Sequence, residues 1–474
     1  MAGKDGFARQ KPFGLKDKMG YMLGDFGNDF TFLFASGFLM IFYTKVLGLS
    51  GAIVGTIFLV SRIVDAFTDI GMGRLVDTLK SAKDGRFRPW IRRMSIPVVI
   101  ASILMFMYLV KDWSYSAKVV YAFITYILWG SICYTGINIP YGSMAAVLSG
   151  DATDRASLST FRSIGATLAG LIIGVVSPLL IYKTDTAGNE VLVPQNFTIL
   201  AIIYGGLALV CYFLCYKFCT ERVQIVEEPA VKTKNSGLKL VKALFSNRGL
   251  LSIIGAALLL LLAMLLSQTM NPYLFMDYFK NGKVLSIIGI INTIAILLVS
   301  PFVTKLSKRF GKKEVGSISV LFTSIMYFIL YFLKVQGVTA FIIFYFIATI
   351  GFSMFHVIIW AFIADVIDHQ EVKTHKREDG TIYAVYSFAR KLGQALAGGI
   401  GGFALTAIGY VSEATTQTEA VRDNIYRVST IVPALSYLGV ALIMIFAYPL
   451  SKKRVEENIA TLKARREKIQ ETNR

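Results

Sequence analysis

The strongest constraint on this 474-residue chain is a long apolar stretch that recurs from one end of the sequence to the other. A helix of about 20 apolar residues crosses the hydrocarbon core of a bilayer, and each stretch is about that long or longer. The stretches are residues 20–45, 51–75, 94–110, 117–147, 163–182, 198–217, 249–276, 284–304, 315–333, 338–366, 381–410 and 428–449. The sequence therefore predicts an all-α membrane protein with 12 transmembrane helices, called spans 1 to 12 below.

Composition supports this class and excludes a soluble protein. Hydrophobic residues make up 55% of the chain and aromatic residues 13%. The formal net charge of +19 would suggest a nucleic-acid partner in a soluble protein. Here about 36 of the 49 lysines and arginines fall in the terminal segments and in every second connection between spans. The positive-inside rule then predicts both termini in the cytoplasm, and no nucleic-acid partner is expected.

The chain divides near its middle. Residues 219–247 are polar, contain Pro229 and Gly237, and separate six spans from six more. Each half has a basic connection after its second span, "DTLKSAKDGRFRPWIRR" and "KLSKRFGKK". Matching halves predict a duplicated transporter that binds its substrate near the middle of the membrane between them. The predicted parts are a cytoplasmic N-terminal segment (1–18), a six-helix half (19–218), a cytoplasmic linker (219–247), a second six-helix half (248–450) and a charged cytoplasmic tail (451–474).

Span 2 carries three charged side chains, Arg62, Asp65 and Asp69, on one helical face. A charge at mid-membrane costs roughly 2.5 to 3.5 kcal/mol on insertion scales, so three on one stripe need partners and a purpose. Carboxylate oxygens suit Na⁺ or a proton, and the hydroxyls of Thr68 and Thr135 are further oxygen donors. The alternative is a simple buried ion pair between Arg62 and Asp65, which leaves Asp69 without a role.

Five sequence blocks together resemble one known family. They are "YMLGDFGNDF", "RIVDAFTD", "GRFRPW", "NIPYGSMA" and "ADVIDHQEVKTHKREDGTIYAVYSFARKLGQALAGGIGGFAL". Over almost its whole length the chain is similar to the glycoside-pentoside-hexuronide:cation symporters, a sugar-carrier branch of the major facilitator superfamily. Two segments, "DWSYSAKVVYAFITY" and "NIPYGSMA", look closer to its glucuronide and pentoside carriers than to its melibiose carrier. The resemblance implies a major facilitator fold, a bacterial cytoplasmic (inner) membrane location, and symport of a sugar with Na⁺ or H⁺ by alternating access.

The resemblance also implies a cation site at the positions of Asp65, Asp69 and Thr135, with Arg62 balancing charge. Thr68 stands where the family's melibiose carrier has an asparagine. This difference weakens the case for Na⁺ and strengthens that for a proton. A Na⁺ site at Asp65 and Asp69 and a proton site both stay open.

The resemblance places sugar-binding residues in spans 1, 4 and 5. A carboxylate can accept two hydroxyl hydrogen bonds, and the family counterpart of Asp29 contacts sugar. The alternative is that Asp29 pairs with Arg162 or Lys391 only to be neutralised. Span 4 presents Tyr134 and Asn138, and Asn138 replaces a family aspartate. Loss of that negative charge suits an acidic sugar.

Spans 10 and 11 supply the remaining candidates. His356 and Trp360 lie four residues apart and so share a face. His356 falls where the melibiose carrier has a sugar-stacking tryptophan, although an intramembrane histidine can also be a packing residue. Lys391 aligns with a functional family lysine, and Lys391 or Arg390 could hold a uronate carboxylate or balance the buried aspartates. The alternative for Arg390 is that it only snorkels towards the interface.

Three other features have simpler explanations. Cys211, Cys215 and Cys219 follow a helical spacing, which favours packing in a membrane helix over a metal site. The segment "DHQEVKTHKREDG", residues 368–380, contains two histidines and several acids, but the resemblance implies a gating loop. The tail alternates its charges at helical spacing, which predicts a solvated or membrane-surface helix.

The sequence therefore predicts a cation-coupled sugar symporter that is not an enzyme and needs no cofactor. Its expected partners are a small sugar, a monovalent cation and the lipid bilayer, and we expect a monomer. Two alternatives stay open: a facilitator or exchanger of another small solute, and a membrane sensor that transports nothing.

Overall fold

The computed structural model of the chain describes residues 12–78, 84–184, 190–223, 247–374, 386, 389–390, 393–394, 399–412, 414 and 416–472. In these residues the fold is helical apart from one short antiparallel hairpin, in which Tyr182 pairs with Leu192. Its strands are β1, Tyr182–Thr184, and β2, Glu190–Leu192. The predicted all-α class is confirmed.

The chain forms two compact units: unit 1 is Met1–Ala230 with Val411–Ala414, and unit 2 is Val231–Tyr410 with Thr415–Arg474. Residues 224–246 of the predicted linker lie outside the described residues. The helices of unit 1 are α1 (Leu15–Ile41), α2 (Gly51–Thr78), α3 (Arg88–Met105), α4 (Tyr115–Ile127), α5 (Thr135–Leu148), α6 (Ala152–Ile181) and α7 (Pro194–Phe218). Those of unit 2 are α8 (Arg248–Tyr273), α9 (Val284–Phe310), α10 (Lys312–Leu333), α11 (Val338–Thr374), α12 (Glu419–Leu442) and α13 (Lys452–Thr472).

Within the described residues, 11 helical segments are long and apolar enough to cross a membrane. They are Leu15–Val46, Gly51–Val76, Arg88–Asp112, Tyr115–Leu148, Ser157–Ile181, Pro194–Phe218, Arg248–Tyr278, Val284–Val303, Lys312–Leu333, Val338–Thr374 and Glu419–Ala447. They confirm predicted spans 1 to 10 and span 12. Predicted span 11, residues 381–410, is described only in part, because residues 381–385, 387–388, 391–392 and 395–398 lie outside the described residues.

Four of the described spans contain a wide helical turn, in which backbone hydrogen bonds close over five residues instead of four. One such turn, Leu128–Tyr134, joins α4 to α5 inside the fourth span. The others are Phe42–Val46, Leu274–Tyr278 and Ile443–Ala447. Wide turns are frequent at functional sites because they change the direction of the side chains around them.

A glycine brings α1 close to its neighbours in unit 1. A Cβ atom at Gly24 would collide with the ring of Tyr141 in α5 and with the Sγ of Cys215 in α7. Without that atom, Tyr21 stacks on Tyr141 with ring centroids 4.6 Å apart. Small residues commonly permit this close helix packing in membranes. The polar residues of α1 are thereby held beside α5.

The segment that follows α7 ties several parts of unit 1 together. The Glu221 carboxylate accepts the backbone N–H groups of residues 86–88, at 2.7 to 2.8 Å, where α3 begins. Arg222 donates to both carboxylate oxygens of Asp17, in the first turn of α1, at 2.9 Å. An acceptor at a helix N-terminus satisfies donors that the helix itself leaves unpaired. The first residues of the predicted linker are therefore part of unit 1.

The C-terminal tail and the end of α11 differ from what the sequence predicts. Helix α13 packs along the end of α11, where buried Asn458 hydrogen-bonds the ring of His369 at 3.2 Å. Leu462, one turn later, is also buried, and Arg465 donates to the last backbone carbonyl groups of α11. The tail is helical and mostly exposed, as expected, but one of its faces is covered by α11. Residues 368–374, expected in a loop, continue α11 as a helix.

Candidate cation and substrate sites

The charged stripe of α2, which is Arg62, Asp65 and Asp69, lies away from the exposed Ile63 and Phe67. Ile63 and Phe67 are exposed, whereas Asp65, about half a turn round the helix, has a side chain only 16% exposed. Arg62 Nη1 lies 3.3 Å from Asp65 Oδ2, so the predicted ion pair forms within one turn of the helix. Asp65 therefore has a cationic partner on its own helix, and Asp69 requires a separate explanation.

Each of these aspartates accepts a hydrogen bond from a hydroxyl group of the fourth span. Ser131 donates to Asp65 Oδ1, and Thr135 donates to Asp69 Oδ1 at 2.9 Å. The donors are four residues apart, as are the acceptors, so the two helices run side by side in the same direction here. Thr135 was predicted at this site, but Ser131 was missed. Its signal in the sequence is the spacing of four that it shares with the aspartates.

The wide turn Leu128–Tyr134 supplies these hydroxyl donors. Ser131 lies inside the turn and Thr135 directly after it. A Cβ atom at Gly130 would lie 3.5 Å from Asp65 Oδ1, which is an ordinary contact distance, so the carboxylate lies directly beside the turn. The result is a cluster of two carboxylates and two hydroxyls, here called the carboxylate–hydroxyl cluster. Such oxygen-rich groups suit a hard monovalent cation or a proton.

Thr68 lies on the same helix but uses its hydroxyl locally. It donates to the backbone oxygens of Val64 at 3.3 Å and of Asp65 at 3.1 Å. Bonds of this kind are usual for a threonine inside a helix. Its role as a cation ligand stays a prediction.

Arg162 of α6 pairs with Asp25. Arg162 Nε donates to Asp25 Oδ1 at 2.8 Å, and Asp25 is only 5% exposed. Arg162 also interacts with Asp29 electrostatically, but within bonding distance it pairs with Asp25. A carboxylate as deeply buried as that of Asp25 needs a fixed cation, because an unpaired buried charge is strongly destabilising. Asp25 was missed, although it lies one turn before Asp29 on the same helix.

The carboxylate of Asp29 is partly buried and differently placed. Among the described residues, no hydrogen bond or ion pair reaches it within bonding distance. Lys391, the other partner considered, lies outside the described residues. A carboxylate in this situation can accept hydrogen bonds from the hydroxyl groups of a ligand.

Tyr134 and Asn138 of the fourth span lie near the same part of α1. Asn28 Nδ2 donates to Asn138 Oδ1 at 3.4 Å, and the Tyr212 hydroxyl donates to Asn28 Oδ1 at 3.0 Å. Tyr134 interacts electrostatically with Asp29. Unit 1 therefore brings together three predicted sugar-binding residues, Asp29, Tyr134 and Asn138, through α1 and the fourth span.

Unit 2 holds the other candidates. The Nδ1 atom of His356 is buried and has no hydrogen-bond partner in the part of the chain that the structure describes. Its ring centroid lies 5.5 Å from that of Phe352. The Cζ of Arg390 lies 5.9 Å from the ring centroid of Tyr386. The Trp360 side chain and all of Lys391 lie outside the described residues, so their roles stay predictions.

The four cysteines are free and buried. Cys219 Sγ lies 3.7 Å from the backbone oxygen of Asp17, where α7 meets α1. Over the described residues, no group of three or more His, Cys, Asp and Glu side chains could hold a metal ion. The packing role of Cys211, Cys215 and Cys219 stays a prediction.

Comparison with known proteins gives one family. A family model described as MFS/sugar transport protein matches residues 20–452. A glucuronide carrier protein homolog of Escherichia coli (strain K12) is 32% identical over 455 residues, which cover 96% of each chain. The uncharacterized symporter YjmB of Bacillus subtilis (strain 168) is 33% identical over 446 residues, which cover 94% of each chain.

Solved structures have the same fold at low sequence identity. The xylose transporter XylE from E. coli, in an inward open conformation, is 15% identical with a TM-score of 0.62, over 94% of this chain and 98% of that one. The nucleoside transporter NupG is 14% identical with a TM-score of 0.62, over 92% of this chain and 100% of that one. The predicted major facilitator fold is confirmed.

Proposed function

The chain belongs to the MFS/sugar transport protein family, and from this premise we propose that it carries a sugar across a bacterial cytoplasmic membrane together with Na⁺ or H⁺. It is a transporter and not an enzyme. The proposed substrates are glycosides, pentosides and hexuronides, and the proposed mechanism is alternating access without covalent chemistry.

The observation that carries the proposal is the carboxylate–hydroxyl cluster, in which Ser131 and Thr135 donate to Asp65 and Asp69. A cation bound there neutralises carboxylates that are costly inside a membrane. The loaded and empty carriers then differ in how readily they change conformation. Linkage is reciprocal, so sugar and cation favour the binding of one another by the same factor.

Asp29 is the proposed anchor for the sugar. Support comes from the contrast with Asp25, which has a fixed cation, while no described group bonds the Asp29 carboxylate. Tyr134 and Asn138 supply further polar groups near Asp29. The Arg162 side chain is 43% exposed beyond its bond to Asp25, so it has donors that a ligand can reach.

An acidic sugar is the proposed substrate within this class. Support comes from the relative named as a glucuronide carrier homolog, since a glucuronide carries a carboxylate. Arg390 and Lys391 are the proposed partners of that carboxylate, because guanidinium and ammonium groups form charge-assisted hydrogen bonds with carboxylates. His356 and Trp360 are the proposed contacts for the sugar ring.

Uptake into proteoliposomes tests the proposal. A labelled glucuronide, a xyloside and a galactoside are supplied with an imposed Na⁺ gradient, with an imposed pH gradient, and with neither. Accumulation above equilibrium under one of the gradients supports symport. Equilibration without accumulation favours a facilitator or exchanger, and no flux of any sugar favours a sensor or another solute.

We propose that both termini lie in the cytoplasm and that the chain acts as a monomer. The excess of basic residues on one side of the predicted membrane supports the orientation. Proteolysis of the tail in vesicles of known orientation tests it, because only vesicles that expose the cytoplasmic face would lose the tail. The mass of the detergent-solubilised protein in light scattering tests the monomer.

A further inference from the structure

Helix α9 has one broad apolar face that is exposed. Between Val284 and Leu298 its exposed apolar residues fall within an arc of about 100°, taking about 100° of turn per residue, and exposed Phe302 lies about 40° beyond the edge of that arc. Those within the arc are Ile287, Ile290, Ile294, Leu297 and Leu298, between 38% and 64% exposed. In a helix long and apolar enough to cross a membrane, such a stripe is the face that contacts lipid.

Asn292 is also exposed but lies on the other side of α9. It is roughly 170° from the centre of the apolar stripe, on the same count of 100° per residue. It lies eight residues after Val284, so it is about 12 Å along the helix at 1.5 Å per residue. Polar side chains at this depth face the protein interior or a water-filled cavity. An exposed carboxamide on the face away from lipid therefore lines a surface of unit 2 that water can reach.

Two further polar side chains support Asn292 from neighbouring helices. The Tyr345 hydroxyl of α11 donates to Asn292 Oδ1 at 3.2 Å. The Asn271 side chain of α8 approaches the same hydroxyl. Tyr345 is itself buried, so its ring holds the hydroxyl in a fixed place. The carboxamide oxygen of Asn292 is thereby oriented, and among the described residues no acceptor takes its N–H groups.

We propose that Asn292, positioned by Tyr345, binds a hydroxyl group of the transported sugar. The inference rests on the proposed function and adds to it a substrate contact on unit 2. A neutral carboxamide with free donors matches a hydroxyl, which accepts as well as donates. A cation is a poorer match, because the single carboxamide oxygen already accepts a bond from Tyr345 and no carboxylate contacts this group in the described residues.

The first test measures access and protection rather than transport. Asn292→Cys is treated with a membrane-impermeant maleimide in vesicles of both orientations, with and without sugar. All four native thiols are buried, so the new thiol dominates the signal. We expect labelling of Asn292→Cys that falls at least about fivefold when a transported sugar is added. Ile294→Cys, on the apolar stripe, is the matched control and should stay unlabelled. An unlabelled Asn292→Cys, or labelling that sugar does not change, overturns the proposal.

The second test measures affinity. Asn292→Ala should raise the sugar Kd about tenfold, since it leaves a polar group of the bound ligand without its hydrogen-bond partner. Thr293→Ala is the control, because the Thr293 hydroxyl donates to the backbone of Gly289 on its own helix. Its Kd should stay within about twofold. Tyr345→Phe, which removes only the orienting hydroxyl, should raise the Kd by a smaller factor.

The two proposals fail in different ways. If wild-type protein binds none of the glucuronide, xyloside and galactoside probes, the proposed function fails and this inference fails with it. If wild-type protein binds a probe and Asn292→Ala binds it equally well, only the inference fails. A fall in thermal stability of Asn292→Ala with unchanged sugar Kd assigns Asn292 to helix packing and overturns the substrate contact.

Discussion

The carboxylate–hydroxyl cluster makes its sharpest prediction for a pair of matched substitutions, Asp69→Asn and Asp65→Asn. Both remove one negative charge from the proposed cation site without changing the size of the side chain. We expect both variants to lose accumulation of sugar against a gradient. Sugar binding should survive, weakened by no more than the coupling between the two ligands, which is typically about 1 to 3 kcal/mol or roughly 5- to 150-fold.

The two variants should differ in stability. An asparagine at position 69 can still accept the 2.9 Å hydrogen bond from Thr135, so the free energy of unfolding should change little. An asparagine at position 65 leaves the guanidinium of Arg62, 3.3 Å away, without its anion. Breaking a buried pair in this way costs about 3 to 5 kcal/mol. We expect about 3 kcal/mol, the lower end, because 28% of the Arg62 side chain is exposed.

The assay combines three measurements on purified protein. Accumulation is measured in proteoliposomes under imposed Na⁺ and pH gradients, the sugar Kd at varied Na⁺ and pH, and thermal unfolding in detergent. If Asp69→Asn still accumulates sugar with unchanged cation dependence, Asp69 is not part of the coupling site. If Asp65→Asn is as stable as Asp69→Asn, the Arg62–Asp65 pair does not stabilise the fold as the geometry suggests.

Four other substitutions test the proposed roles of single groups. Asp29→Asn should weaken sugar binding by at least about tenfold, since hydrogen bonds to charged groups contribute about 1.5 to 3 kcal/mol each, and a wild-type Kd by calorimetry would refute the anchor. Arg390→Gln and Lys391→Gln should each weaken a glucuronide more than its neutral glucoside analogue in competition binding; equal losses for both ligands would indicate a structural role. Glu221→Gln should lower the melting temperature, because the charged acceptor of three backbone N–H groups is lost at about 1 to 3 kcal/mol, while the sugar Kd stays unchanged; an unchanged melting temperature would count against that contact.

The spans were predictable because the signal for a membrane helix is local. Length and apolar content alone specify it, and the stretches at residues 51–75 and 284–304 are recognised without knowledge of their neighbours. The charged stripe of α2, which is Arg62, Asp65 and Asp69, was also predictable from the sequence, because spacing along one helix determines which residues share a face. Both kinds of inference use only residues within a few turns of one another.

The missed parts depend on contacts between distant residues. Arg162 and Asp25 are 137 residues apart in the chain, and nothing local distinguishes Asp25 from Asp29 as its partner. Ser131 reaches Asp65 from a different span. The tail reads as a polar helix, and only its packing on α11 shows that Asn458 and Leu462 are covered. Such pairings become visible once the helices are placed side by side.

The wide turn at Leu128–Tyr134 also affects how residue roles are carried from one protein to another. Such a turn accommodates one residue more than an ordinary helix does over the same length. A relative whose fourth span lacks it would need one residue fewer to keep the same groups facing α2. Residues before and after the turn would then match at registers that differ by one. Ser131 and Thr135 should accordingly be aligned to other carriers separately, Ser131 by its partner Asp65 and Thr135 by its partner Asp69. A single-residue gap in this span then marks a change of helix geometry and not an error of alignment.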